Sequence, residues 1–255
     1  MTFKGVLLDL GGVVYVGDGP LPGAVAAIRR LREAGLAVRF LTNTTRSSHR
    51  MLLQKLRAMG LDVADDELFT PSLAARQRIE REKLAPHLLV HPALEEDFAG
   101  LPDGGREAVI VGDAGDSFSY AALNDAFRAL ERGAEFLALA NNRSFRDADG
   151  GLSLDAGPFV AALTFASRRE PLILGKPAPD YFLSALASMG CEPGDAVMVG
   201  DDVENDVAGA MAAGLSGILV KTGKYQPGAE ASIASPPSAV AADLPAAVHW
   251  ILAQG

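Results

Sequence analysis

Along most of its 255 residues the chain alternates short, apolar, β-branched runs with stretches whose apolar residues recur every three or four positions. Few architectures accommodate that alternation. A strand covered by helices on both faces reads as a near-continuous apolar run, and strand–helix–strand order favours parallel strands joined by right-handed crossovers. Residues 3–8 form such a run. After Pro22-Gly23, the spacing of Ala24, Ile28, Leu31 and Gly35 predicts one face of a helix. Residues 38–41 are a second strand. Ser47 then stands where an N-cap is expected, ahead of a helix with Leu52, Leu56 and Met59 on one side. The last third repeats the pattern, with strands at 172–174, 196–199 and 217–220 and helices at 179–189, 203–213 and 244–252. The expected fold is α/β, a doubly wound parallel sheet.

Between these two regions lies a segment with its own strands, at 88–90, 109–111 and 136–140, and its own helices, near 72–82, 120–132 and 158–167. Pro86, Pro92, Pro102 and a turn at 147–151 punctuate it. It reads as an inserted α/β domain over residues 75–170, with the core built from 1–74 and 171–255. Residues 229–242, rich in Ala, Ser and Pro, read as a solvated loop.

Composition removes several classes. With 23 Lys+Arg against 32 Asp+Glu the net charge is −9, a surface that repels a phosphate backbone, so nucleic acid is not an expected partner. Cys191 is the single cysteine, which excludes an internal disulfide and a cysteine zinc cluster. No apolar run is long enough to span a membrane, and the N-terminus lacks the features of a signal peptide, so the cytoplasm is the expected compartment.

In an open α/β sheet, ligands collect beyond the carboxyl ends of the strands. There the sequence places Asp9 with Leu10, Gly11 and Gly12; Thr42 with Asn43; Gly175 with Lys176; and Asp201 with Asp202, with Asp206 one turn further on. A carboxylate so placed can attack phosphorus. Converging carboxylates need a hard cation, and Mg²⁺ takes carboxylate, carbonyl and phosphate oxygens. Thr42 can donate to a phosphoryl oxygen and Lys176 can neutralise developing charge. Each residue also has a plainer use. Asp202 is better explained as a helix N-cap, Asp206 can serve as a first-turn acid, and Lys176 lacks the glycine spacing of a nucleotide-binding loop. The four histidines, His49 among them, show no metal spacing. Asn141, Asn142 and Arg143 end a strand of the insert and are weaker substrate-facing candidates.

Taken together, residues 6–14 around Asp9, residues 41–43, residues 175–177 and residues 199–206 resemble, in order, the four motifs of the haloacid dehalogenase superfamily phosphatases. The long insert between the second and third resembles the type-II cap. Residues 113–120 and 220–225 carry a closer resemblance to one branch of that subfamily. The resemblance implies a Rossmann-like core with an α/β cap and a Mg²⁺-dependent phosphatase. It further implies Asp9 as nucleophile and metal ligand, with the Gly11 carbonyl and Asp201 completing the metal set. Asp9, Leu10, Gly11, Thr42, Asn43 and Lys176 would hold the phosphoryl group, and Asp206 would orient Lys176 or a metal-bound water.

One position departs from the pattern. Most such phosphatases carry a second aspartate two residues after the nucleophile, which protonates the leaving group; here it is Gly11. A positioned acid contributes about 10²–10⁴-fold, so substrates that leave as stabilised anions are expected: pyrophosphate, acyl and aryl phosphates, then phosphoramidates. The partner is accordingly a small phosphorylated molecule or a phosphoprotein side chain. A binding module that has lost turnover is the rival reading. Carbon–halogen hydrolysis fits the acidic set less well. By analogy with capped relatives, a homodimer through the cap is expected.

Overall fold

Six strands, all parallel, lie in the order Ala239–Ala241, Ser216–Val220, Ala196–Gly200, Gly5–Asp9, Ala37–Leu41, Leu68–Phe69 in the computed structural model, which describes residues 2–101, 104–146 and 151–255. Gly5–Asp9 is wholly buried, and Gly5 pairs with Ala37 on one side and Ala196 on the other. From this central strand the chain winds outward one way, then returns to wind the other way. The reversal lies between Gly5–Asp9 and Ala196–Gly200, the switch point at which doubly wound sheets bind ligands. The fold is the expected α/β one.

The helices of this sheet form where sequence signals start and stop them. Ala24–Glu33 follows Gly23, held at φ 74°, and buries Ala24, Ala27, Ile28 and Leu31. Pro179–Met189 begins on proline and ends at Gly190, in the left-handed region at φ 63°. It buries Tyr181, Phe182, Ala185 and Leu186, the larger of them contributing about 1.5–3 kcal/mol each. Leu244–Leu252 is capped by Asp243, which accepts from the Ala246 N–H at 2.9 Å.

Two contact units divide the chain. The first is Met1–Thr42, Leu53–Phe69 and Lys176–Gly255; the second is Asn43–Leu52 and Thr70–Gly175. The second has its own parallel sheet, in the order Leu172–Ile173, Glu135–Ala138, Arg106–Val111, Leu84–Leu89. Its central strand sends Ala108 and Ile110 into one apolar cluster and Val109 and Val111 into another, as period-two alternation requires. Helices Pro71–Glu82, Tyr120–Glu131 and Ala156–Ser167 are capped by Thr70, Ser119 and Asp155.

Several boundaries differ from the sequence reading, each for a local reason. Residues 43–52 join the second unit because the His49 N–H donates to Asp97, Arg46 pairs with Asp113 and Thr45 accepts from the Asp113 N–H. The strand near 172 belongs to the second unit's sheet, pairing with Glu135–Ala138, so Lys176 follows an edge strand of that sheet rather than a core strand. Ser48, not Ser47, supplies the oxygen that accepts from the Met51 N–H, at 3.3 Å. Residues 239–241, read as loop, form the outermost strand of the first sheet, short enough for composition to hide it. The helix expected over 203–213 is a π-helical turn at Val203–Ala208 continued by α-helix at Gly209–Ala212. Pro102 and positions 147–150 of the turn at 147–151 lie outside the described residues. Among the described residues no helix is long and apolar enough to cross a membrane.

Candidate active site

Asp9 closes the central strand, and Asp201 follows Gly200 at the end of its neighbour. One carboxylate oxygen from each of Asp9, Asp201 and Asp206 lies within 4.8 Å of the other two, and all three residues are buried. Lys176, only 3% exposed, stands among them with Nζ 2.5 Å from Asp9 Oδ1 and 2.6 Å from Asp206 Oδ1.

Local sequence sets this geometry. Asp202 caps the turn that follows, accepting from the Glu204 and Asn205 N–H groups at 3.2 and 3.0 Å. Its own N–H donates to Asp206 Oδ2 at 3.1 Å. Both Asp206 oxygens are thus engaged, one by Lys176 and one by the backbone. Gly200 must be glycine, because a Cβ there would overlap the Asp206 side chain. Gly12 and Gly223, at φ 85° and 56°, pack so closely on Asp201 that a Cβ at either would run into its carboxylate. That approach lets the Lys224 N–H donate to Asp201 Oδ2 at 2.6 Å, and the Thr222 hydroxyl donate to the Gly12 carbonyl at 2.5 Å.

After Asp9 the chain turns sharply. The Leu10 carbonyl accepts from the Val14 and Tyr15 N–H groups at 2.9 and 3.1 Å, and the Gly12 N–H donates to the Tyr15 carbonyl at 2.8 Å. Gly11 is exposed at the apex, with open space where a side chain would stand. Thr42, 5% exposed, follows Ala37–Leu41 and donates its N–H to the Phe69 carbonyl at 3.2 Å. The Tyr181 hydroxyl steadies this edge, 2.9 and 2.6 Å from the carbonyl oxygens of Thr42 and Phe69.

Three buried carboxylates facing one ammonium make an over-acidic site. Burial, then the charges of Asp9 and Asp206, push Asp201 up to about 8 against the pull of the Lys224 N–H. Burial raises Asp206 to about 7; the Lys176 ammonium opposes this and Asp9 adds to it. For Lys176 itself burial disfavours the charge, but the Asp206 and Asp9 carboxylates outweigh it and hold the group above the ordinary lysine value. A divalent cation held there would offset that excess of negative charge. The donor set is all hard oxygen, which suits Mg²⁺ and not a thiolate- or imidazole-seeking metal.

Asp9, Lys176, Asp201 and Asp206 therefore meet, with Thr42 at the end of the strand beside Asp9. Leu10 and Gly11 offer backbone groups only. Asn43 is the first residue of the second unit, where Gly175 leaves room for it: a Cβ on Gly175 would stand 2.6 Å from Asn43 Oδ1. Asp202 is a cap. His49 is a buried helix-start residue tied through its N–H to Asp97. Sequence reasoning did not assign roles to Thr222, Gly223 and Lys224; their hydrogen bonds reach 210 positions back to Gly12 and 23 back to Asp201, separations that local pattern does not encode.

Known proteins match this chain in sequence and fold. A family model described as haloacid dehalogenase-like hydrolase matches residues 6–101, and a second, HAD-hydrolase-like, matches residues 173–247. Human haloacid dehalogenase-like hydrolase domain-containing protein 2 is 44% identical over 251 residues, covering 98% of this chain and 96% of that protein. Phospholysine phosphohistidine inorganic pyrophosphate phosphatase of Danio rerio is 41% identical over 258 residues, covering 98% and 95%. Among solved structures, a p-nitrophenyl phosphatase from Archaeoglobus fulgidus superposes with a TM-score of 0.89 at 28% identity, covering 98% of this chain and 100% of that one. A glycerol phosphate phosphatase from Mycobacterium tuberculosis, in complex with magnesium, gives 0.81 at 27% identity, covering 95% and 76%. With its strand-end acids set in that same fold, the chain belongs to the haloacid dehalogenase-like hydrolases and, within them, to the phosphatases.

Proposed function

We propose that this phosphatase is Mg²⁺-dependent, works through an aspartyl-phosphate on Asp9, and prefers substrates whose leaving group departs as a stabilised anion. The observation that carries the reading is the buried contact of Lys176 with Asp9 and Asp206, beside Asp201. Lys176 holds the Asp9 carboxylate in position, and Asp206 keeps Lys176 in place. Thr42, Asn43 and the backbone N–H groups of Leu10 and Gly11 are the donors for the phosphoryl oxygens. Asp9, Asp201 and the Gly11 carbonyl would hold Mg²⁺, which supplies a positive field for the incoming phosphate. Asp9 attacks phosphorus, the bond to the leaving group breaks, and water then releases phosphate from Asp9. Gly11 brings no proton to the leaving group. Pyrophosphate, acyl and aryl phosphates therefore lose least from its absence, phosphoramidates more, and alkyl esters most.

The test is turnover of pyrophosphate, acetyl phosphate and p-nitrophenyl phosphate with and without Mg²⁺, beside Asp9→Asn. Turnover that ignores Mg²⁺, or survives in Asp9→Asn, would remove the reading. Gly11 also favours a second reading, a phosphate- or phosphoprotein-binding module without turnover. Under it, calorimetry would find Mg²⁺ and phosphate bound while hydrolysis stayed at background.

We place the enzyme in the cytoplasm, acting on small phosphorylated molecules or phosphoprotein side chains, as a homodimer joined through the second unit. Support for the dimer comes from Ala156–Ser167, a helix with no charged residue whose Phe165 is 89% exposed. Light scattering on the wild type and Phe165→Glu tests it: a monomeric wild type overturns it.

A further inference from the structure

We propose that Lys224 is a specificity-determining residue whose ammonium receives the departing phosphate of a phosphoanhydride, doing by charge what the absent acid at position 11 would do by proton transfer. The inference rests on the phosphohydrolase reading above and goes further by assigning the leaving-group side of the site.

The backbone and side chain of Lys224 do separate things. Its N–H is spent on Asp201 Oδ2 at 2.6 Å, and Thr222 two residues earlier is hydrogen-bonded to the Gly12 carbonyl, so the 222–224 segment is fastened to the turn that contains Gly11. Gly12 and Gly223 permit that contact because neither carries a side chain. The lysine side chain then runs outward, 57% exposed, with Nζ 3.4 Å from Asp202 Oδ2. A pair that long and that exposed is weak, so the ammonium can exchange Asp202 for a better anion. It stands in the field of Asp202, Asp9, Asp206 and Asp201, all on the carboxyl edge of the sheet. Lys176, by contrast, is enclosed between Asp9 and Asp206. Two lysines thus serve one site, one buried on the nucleophile and one with an exposed side chain on the loop beside the vacant acid position.

In the step, an Asp9 oxygen forms a bond to phosphorus and the bond to the bridging oxygen breaks. The electron pair stays on that oxygen, so the departing phosphate gains one negative charge. Lys224 meets that charge and keeps its proton; the phosphate takes a proton from water as its own basicity dictates. An aryl leaving group spreads its charge into a ring and has no second phosphoryl for Lys224 to hold. The residue should therefore separate the two substrate types.

Lys224→Met removes the charge, keeps the apolar stem and leaves the backbone N–H on Asp201. With Mg²⁺ present, kcat/KM for pyrophosphate should fall about 10–100-fold, the range of a charge-assisted hydrogen bond. For p-nitrophenyl phosphate it should stay within about 3-fold of wild type. Lys224→Arg should recover most of the pyrophosphate loss. In the turnover-deficient Asp9→Asn background, calorimetry should show Lys224→Met weakening pyrophosphate binding and leaving inorganic phosphate binding unchanged. Equal losses on both substrates, or no loss on pyrophosphate, would overturn the inference while the enzyme stood. Pyrophosphate binding indifferent to Lys224→Met would overturn it even if the wild type turned over aryl phosphate alone. Absence of any Asp9-dependent turnover would instead bring down the underlying reading.

Discussion

The two units share a plan and differ at the strand ends. Both are parallel sheets with helices between successive strands, and in both an aspartate stands at or just beyond the end of a buried central strand, Asp9 in one and Asp113 in the other. Asp9 is met by Lys176 and by two further carboxylates. Asp113 is met by Arg46, whose Nε lies 2.5 Å from Oδ2, while the Gly115 N–H donates to Oδ1 at 3.0 Å. Among the described residues, the group of three metal-capable side chains lies in the first unit only. A strand-end acid surrounded by more acids sits in an excess of negative charge, a setting that suits a cation. A strand-end acid matched by one guanidinium and an N–H is satisfied already. Topology offers the position; the neighbours decide between chemistry and structure.

The sharpest way to break that contrast is Asp9→Asn. It removes the proposed nucleophile and one wall of the acidic site, and turnover should fall by at least about 10³-fold, measured as Mg²⁺-dependent phosphate release. Next in size is Gly11→Asp. A side chain at 11 meets no atom within 4 Å of its Cβ, and the backbone there is not in the left-handed region, so the aspartate should fit without strain. Supplying the acid should raise kcat/KM on an alkyl ester such as glycerol phosphate by about 10²-fold, and on p-nitrophenyl phosphate far less. Equal gains on both would show that leaving-group protonation is not what Gly11 lacks.

How much of this is legible in the sequence depends on the range of the signal. Asp9, Thr42, Asp201 and Asp206 are legible because each follows an apolar run or a helix start, so period and capping alone put them at one edge. Lys176 is legible only through its motif, since the short strand before it pairs in the other sheet. Gly12, Gly200 and Gly223 are visible as glycines, but their reason is a clash with Asp201 or Asp206, a contact across the fold. The strand Ala239–Ala241 escapes because three small residues on a sheet edge carry almost no periodic signal. Residues 43–52 look like core because the adjoining helix continues into the first unit. The bonds of His49, Arg46 and Thr45 that draw them into the second unit have no local signature.

A pH series sharpens the contrast on the core side. Asp201 and Asp206 are pushed up to about 8 and about 7, mainly by burial and by each other's neighbourhood of acids, against roughly 3.9 in an unfolded chain. The folded, metal-free protein therefore holds protons that the unfolded chain has released. The stability these groups contribute is full below about pH 4 and is lost as pH rises through their folded values. On the proposed reading, Mg²⁺ bound there would take the place of those protons. The rise in Tm caused by saturating Mg²⁺ should thus be larger at pH 9 than at pH 6, by about 2–5 °C, and Asp201→Asn should flatten the trend. A Tm increment that shrinks with pH would place the metal elsewhere.

The smallest effect on turnover, and the cleanest control, comes from Asp113→Asn. Arg46 is 40% exposed at its side chain while Asp113 is 4% exposed, so solvent screens half of the pair and the full value of a buried ion pair does not apply. The asparagine keeps an oxygen for the Gly115 N–H, and Arg46 keeps its seat over the Phe145 ring, 4.3 Å from the centroid. What is lost is one charge-assisted hydrogen bond, about 1–2 kcal/mol, read as a drop in Tm of a few degrees. Because that acid is matched by Arg46 and lies outside the group of three metal-capable side chains found among the described residues, kcat/KM should stay within about 3-fold of wild type. Should turnover instead collapse as in Asp9→Asn, with Tm unmoved, the second unit's strand-end acid would belong to the chemistry, and the rule that neighbours assign the role would fail at the very position where the two sheets are most alike.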